Sequence, residues 1–168
     1  MAAGMTRGRN AWVAGTIALL VVAADQASKA WAQASLQPEH EVTVIPGWLW
    51  FKLTGNTGAS LGLLRGHNLL FVAASTLVII AVAAIVLRGA PGVLGAAALG
   101  GVAGGATSNL IDRLRLGSVV DFIEVHLWPT NFNLADTAIR LGVVVFILAL
   151  LLDRRWRSRA GGGRNPTG

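Results

Sequence analysis

The stretch from Leu69 to Leu87 reads LLFVAASTLVIIAVAAIVL and holds no ionisable residue. At ~1.5 Å of rise per residue, a helix of this length crosses a bilayer hydrocarbon core of about 30 Å. Arg88-Gly89-Ala90-Pro91-Gly92 follows as a tight connection, and a second apolar run, Val93 to Ile111, starts at once. That run is rich in Gly and Ala, which let helix backbones approach closely in lipid. Two further blocks lie at residues 12–31 and 134–152. The pattern predicts an all-α membrane protein with four transmembrane helices.

Composition agrees. Of the 168 residues, 54% are hydrophobic and 13% charged, and that charge fraction is about half that of a soluble domain. The length allows one domain. The net charge of +6 does not indicate nucleic acid, because most basic residues sit just outside apolar blocks, where they act as a topology signal. There is no cysteine, which excludes disulfides, thiolate metal sites and a cysteine nucleophile. The block from Trp12 to Trp31 resembles a cleavable signal sequence, with basic residues before it and small ones after. Three more apolar blocks follow it, so it reads as a retained first span.

Residues 1–10 form a short N-terminal tail, 11–153 the membrane domain, and 154–168 a basic, Gly-rich tail expected to be disordered. Residues 33–66 are mixed. Pro38 and Pro46 break helix, while Val42–Ile45 and Leu49–Leu53 read as short strands. This segment is expected to be a small β-rich, interfacial, extracytoplasmic platform between helices 1 and 2, anchored by Trp48 and Trp50. Residues 112–131 read as a polar connection. Arg7, Arg9, Arg88 and the arginines of the C-terminal tail share one side of a four-span chain. The positive-inside rule makes that side cytoplasmic, with both termini there, although Lys52, Arg65, Arg113 and Arg115 fall opposite.

Asp25, Glu39, Glu41, Asp112, Asp121, Glu124 and Asp136 all fall on the outer side, leaving only Asp153 on the other. Asp25 and Lys29 share a helix face at the outer end of span one, as do Asn109 and Asp112 at the outer end of span three. Asp136 opens span four, and Asn56 lies in the first outer loop. Four segments thus bring polar groups to one depth, where ionisable residues are costly unless paired or wet.

Metal hydrolysis is disfavoured, since no H-E-x-x-H pair occurs and His40, His67 and His126 lie on separate segments. There is no G-x-S-x-G elbow, and Ser28 and Lys29, as sequence neighbours on a helix, point apart. A pair of carboxylates sharing one proton, activating water without a cofactor, remains. The residues alone do not say which two pair. A transporter would carry polar groups through the bilayer midplane, and Val72–Val86 and Val143–Leu152 carry none that ionise. A structural subunit would leave the repeated Asp and Asn unexplained.

Five stretches resemble the lipoprotein signal peptidase (signal peptidase II) family. Asp25-Gln26-Ala27-Ser28-Lys29 is similar to its D-Q-x-[ST]-K motif, and Asn56-Thr57-Gly58-Ala59-Ser60 to N-x-G-A-[AS]. The run Gly104 to Arg113 resembles G-G-A-x-G-N-x-x-D-R, with Ser108 where Gly is usual. Val119-Val120-Asp121-Phe122 and Phe132-Asn133-Leu134-Ala135-Asp136-Thr137 are similar to V-V-D-F and F-N-x-A-D-[ST]. Leu61 stands where Phe is common. The order and spacing are the family's, over roughly residues 12–152.

The resemblance implies an aspartic endopeptidase that cleaves before the diacylglyceryl-modified Cys of prolipoproteins, with Asp121 and Asp136 as the catalytic pair. It implies that Asn109, Asn133 and Arg113 position substrate and orient the aspartates, and that Asn56 and Asp25 line the substrate path. Lys29 would pair with Asp25, and Asp112 would serve Arg113 or a helix end. It implies no metal or cofactor, membrane lipids as partners, inhibition by globomycin-type cyclic peptides, and residence in the bacterial inner membrane.

Overall fold

The computed structural model describes residues 2–38, 40–58 and 66–153. Glu39, residues 59–65 with Ala59, Ser60, Leu61 and Arg65, and the basic tail from Arg154 onward lie outside the described residues. Four helices carry the apolar blocks: α1 (Ala2–Ser35), α2 (Asn68–Gly89), α3 (Gly92–Leu116) and α4 (Leu134–Leu152). All four are long and apolar enough to cross a membrane. Helix α1 outruns its apolar block at both ends, since Ala, Met and Arg before it and Ala, Gln and Ser after it are compatible with helix.

The strands are β1 (Glu41–Ile45), β2 (Leu49–Asn56), β3 (Val119–Val125) and β4 (Trp128–Phe132). They form one antiparallel sheet in the order β1-β2-β3-β4. Pro46 and Gly47 make the turn between β1 and β2, with Gly47 at φ 76° and the Trp48 N–H donating to Ile45 O at 3.0 Å. Pro followed by a left-handed Gly is the signature of a type II turn. Residues 41–56 therefore supply the expected strands, and residues 119–132 complete the sheet.

The connection between spans three and four is more ordered than its polar sequence suggests. Helix α3 continues through Asp112, Arg113 and Arg115 to Leu116 and stops on Gly117, which is left-handed at φ 72° and donates its N–H to Arg113 O. Strand β3 then pairs with β2, placing Thr54 opposite Asp121 and Asn56 opposite Val119. Trp31 on α1 meets Phe51 of β2 and Phe122 of β3 edge-on, at centroid distances of 5.4 and 6.1 Å. This aromatic triad seats the sheet on the outer end of α1.

Helix α3 is the centre of the bundle. A Cβ added at Gly104 would lie 2.6 Å from the Ala18 carbonyl oxygen of α1, and one at Gly105 would lie 2.5 Å from that of Ala135 in α4. The two glycines let α3 touch α1 on one side and α4 on the other. The residues one turn further on, Ser108 and Asn109, are thereby wedged between both neighbours.

Candidate active site

Asp121 is carried by β3 and Asp136 by the first turn of α4. Asp121 is 1% exposed. Its Oδ2 accepts from Asn56 Nδ2 at 2.9 Å and its Oδ1 from Asn133 Nδ2 at 2.7 Å. Asp136 Oδ1 accepts from Asn109 Nδ2 at 2.8 Å. Asn133 Nδ2 also reaches Asn109 Oδ1 at 3.2 Å, so hydrogen bonds run from one carboxylate to the other through two amides. Burial pushes the Asp121 carboxyl up to about 7. The neighbouring Asp136 charge adds to the rise, against the donated bonds of Asn56 and Asn133.

Each of the three asparagines has its orientation fixed by a donor that cannot accept. Asn56 Oδ1 takes the Gly58 N–H at 3.0 Å. Asn133 Oδ1 takes the Asp136 N–H at 2.8 Å, which makes Asn133 the N-cap of α4. Asn109 Oδ1 takes Lys29 Nζ at 2.9 Å. In every case the amide NH2 is left to face a carboxylate.

Behind this layer lies a buried charge cluster. Lys29 Nζ is 2.7 Å from Asp25 and 2.9 Å from Asp112. Asp25 also accepts from Ser108 Oγ at 2.7 Å and from the Ala135 N–H at 2.8 Å. Asp112 accepts from Gln26 Nε2 at 2.9 Å and from the Val120 N–H at 3.1 Å. The cluster joins α1 and α3 to the starts of α4 and β3, the two elements that carry Asp136 and Asp121.

Seven of the eight expected residues, Asp121, Asp136, Asn56, Asn109, Asn133, Lys29 and, through Lys29, Asp25, fall in one connected network. Two expectations change. Asp25 has no exposure, so it cannot line a substrate path; its oxygens are taken by Lys29, Ser108 and the α4 backbone. Arg113 is directed to Gly58 O at 3.2 Å and Asn68 Oδ1 at 3.5 Å, with its guanidinium 4.4 Å from the Phe71 ring centroid. It ties Gly58, just after β2, to the start of α2 and acts on Asp121 and Asp136 through its charge rather than through hydrogen bonds. Asp112 likewise serves Lys29, Gln26 and β3 rather than Arg113. Ser108, where the family motif usually has Gly, adds a donor to Asp25.

Two residues escaped the sequence reading. Gln26 bonds both Asp112 and Ser108, the latter at 3.0 Å; its place beside Asp25 in a helical motif was the available signal. Arg140, one turn after Asp136, lies over the rings of Trp128 and Phe132 at 4.8 and 5.4 Å. Its apolar neighbours in span four hid it.

Comparison with solved structures gives the class first. The fold is similar to that of a bacterial membrane enzyme solved at 2.3 Å resolution, with a TM-score of 0.76 and 28% identity over 90% of this chain and 92% of the other. A second bacterial membrane enzyme, at 1.9 Å, matches with a TM-score of 0.74 and 30% identity over 83% of this chain and 93% of the other. The class is a four-helix membrane enzyme with polar groups gathered at one end of the bundle.

The family follows from sequence. The family model described as Signal peptidase (SPase) II matches residues 17–152. A lipoprotein signal peptidase of Syntrophomonas wolfei is 42% identical over 141 residues, covering 84% of this chain and 94% of its own. One of Dehalococcoides mccartyi is 41% identical over 165 residues, covering 94% and 96%. The chain belongs to the signal peptidase II family.

Proposed function

We propose that this protein is an aspartic endopeptidase of the bacterial inner membrane that removes the signal peptide of diacylglyceryl-modified prolipoproteins by cutting before the lipidated Cys. The observation that carries the reading is the amide bridge between Asp121 and Asp136, in which Asn133 and Asn109 donate to one carboxylate each and Asn133 donates to Asn109. Burial and the neighbouring Asp136 charge, acting against the donated amide bonds, oppose ionisation of Asp121, so the pair keeps one proton between them. The ionised member takes a proton from a bound water as that water attacks the scissile carbonyl. The protonated member gives its proton to the departing amine. Asn56, Asn109 and Asn133 hold the pair at fixed geometry. Arg113 holds Gly58 and Asn68 together.

Position at one end of the spans suits a substrate whose signal helix and acyl chains both lie in lipid. The reaction needs no metal or other cofactor. Globomycin-type cyclic peptides would inhibit by occupying the same site. With both termini cytoplasmic, the sheet and the aspartates face the extracytoplasmic side.

The test is cleavage of a diacylglyceryl-modified prolipoprotein by the purified protein in lipid, beside Asp121→Asn and Asp136→Asn. Both variants should fold and lose cleavage by at least about a thousandfold. Activity surviving either substitution would remove that residue from the chemistry.

A further inference from the structure

We infer that Lys29 is a positioning residue for the reaction, acting on the catalytic pair through Asn109. The inference rests on the dyad reading above. An ammonium has three N–H donors and no acceptor. Lys29 is 2% exposed, so water does not share those donors. All three are spoken for: Asp25 Oδ2 at 2.7 Å, Asp112 Oδ2 at 2.9 Å and Asn109 Oδ1 at 2.9 Å.

The third bond has a directional consequence. An amide can flip, exchanging its donor and acceptor ends at little steric cost. A flipped Asn109 would turn its NH2 on the ammonium and its oxygen on the Asp136 carboxylate. Both contacts would be repulsive. With Lys29 charged, Nδ2 must point at Asp136, where it donates at 2.8 Å. The same fixed Oδ1 receives Asn133 Nδ2, which also donates to Asp121. One buried cation on α1 thus sets the donor direction at Asp136 and the acceptor offered to Asn133, whose own orientation the Asp136 N–H fixes, without touching either aspartate.

The buried aspartates complete the device. A lysine with one partner could swing away from Asn109. Asp25 and Asp112, on α1 and α3, hold the Nζ from two sides and leave only its third proton for the amide. Gln26 and Ser108 hold those carboxylates in turn, through Asp112 Oδ1 and Asp25 Oδ2.

The experiment is a double-mutant cycle with Lys29→Met and Asn109→Ala, reading kcat, KM and the thermal midpoint on a diacylglyceryl-modified prolipoprotein. Lys29→Met should lower kcat about 10- to 100-fold with KM within about twofold, as loss of a supporting hydrogen bond does. In the Asn109→Ala background the same substitution should lower kcat by less than about threefold further, because its hydrogen-bonded route to the pair is already cut and only the weaker through-space charge is left. A kcat for Lys29→Met within about twofold of wild type, or a larger further loss in that background, would overturn the inference.

Lys29→Met strands two carboxylates and can fail to fold. The triple variant Asp25→Asn/Lys29→Met/Asp112→Asn, where the whole cluster is neutral, then takes the place of Lys29→Met in the cycle. Failure of that protein to fold as well would make Lys29 a residue of the fold and overturn its positioning role. Asp121→Asn and Asp136→Asn run alongside. If both are inactive while the cycle is additive, the Lys29 inference alone falls. If either is active, the dyad reading falls and takes the inference with it.

Discussion

Asn133 combines two jobs that separate substitutions can divide. Its Oδ1 caps α4 through the Asp136 N–H, and its Nδ2 donates to Asp121. Serine keeps a capping oxygen but loses the donor; alanine loses both. Asn133→Ser should be more stable than Asn133→Ala by about 1 kcal/mol in denaturation, while kcat should fall about 10- to 100-fold in both. Equal stability would remove the capping role, and a serine variant with full activity would remove the donor's. Asp121 carries the pH dependence. Its carboxyl is raised from an ordinary 3.8 to about 7, so the folded state binds this proton more tightly than the unfolded chain. The stabilisation is fully present below about pH 4 and is lost as pH rises through about 7, for a total on the order of 4 kcal/mol. Thermal midpoints should drop between pH 5 and pH 8, and Asp121→Asn should flatten that drop. Cleavage should fall over the same alkaline limb, as the pair loses its shared proton, and a rate that kept rising past pH 8 would contradict this.

The elements are positioned by close backbone approaches, and Gly105 gives the sharpest handle on them. A methyl there meets the Ala135 carbonyl at 2.5 Å and Ile139 Cγ1 at 2.7 Å. Ala135 precedes Asp136, so α4 must shift at one of the two aspartates of the proposed pair. Gly105→Ala should cost about 1–3 kcal/mol through overpacking and should also lower kcat. A variant that lost stability alone would mean the start of α4 repacks without moving Asp136. Sequence showed the helices and the first hairpin because an unbroken apolar run and a Pro-Gly turn are local signals. It did not show that α3 runs on to Leu116, nor that 119–132 folds as two strands. The arginines and acids there carry no period, and β3 owes its place to pairing with β2 across a long stretch of chain. The aspartates were legible because short motifs mark them. The contact from Lys29 to Asn109 was not, because it depends on how closely α1 and α3 approach.

At the scale of the whole molecule, the sheet, the carboxylates and the amide bridge all lie at one end of four spans, and the turn of Arg88 to Gly92 lies at the other. The positive-inside rule, worth most for arginines close to short loops, predicts that this second end is cytoplasmic. Lys52, Arg113 and Arg115 oppose the rule, but Arg113 is buried against Gly58 and Asn68 and Lys52 belongs to the sheet. Residues folded into an outer structure do not offer the free loop charge that the rule counts, so the N-terminal pair and Arg88 should decide. The chain has no cysteine, so single cysteines report orientation without background. Leu127, in the turn between β3 and β4, is 76% exposed, and Val93, at the start of α3, is 42% exposed. In intact spheroplasts a membrane-impermeant maleimide should label Leu127→Cys and spare Val93→Cys, and both should label once the membrane is opened. The reverse pattern would put the aspartates on the cytoplasmic side. Substrate would then have to be cut before its signal helix crossed the membrane, and the proposed function would lose its setting.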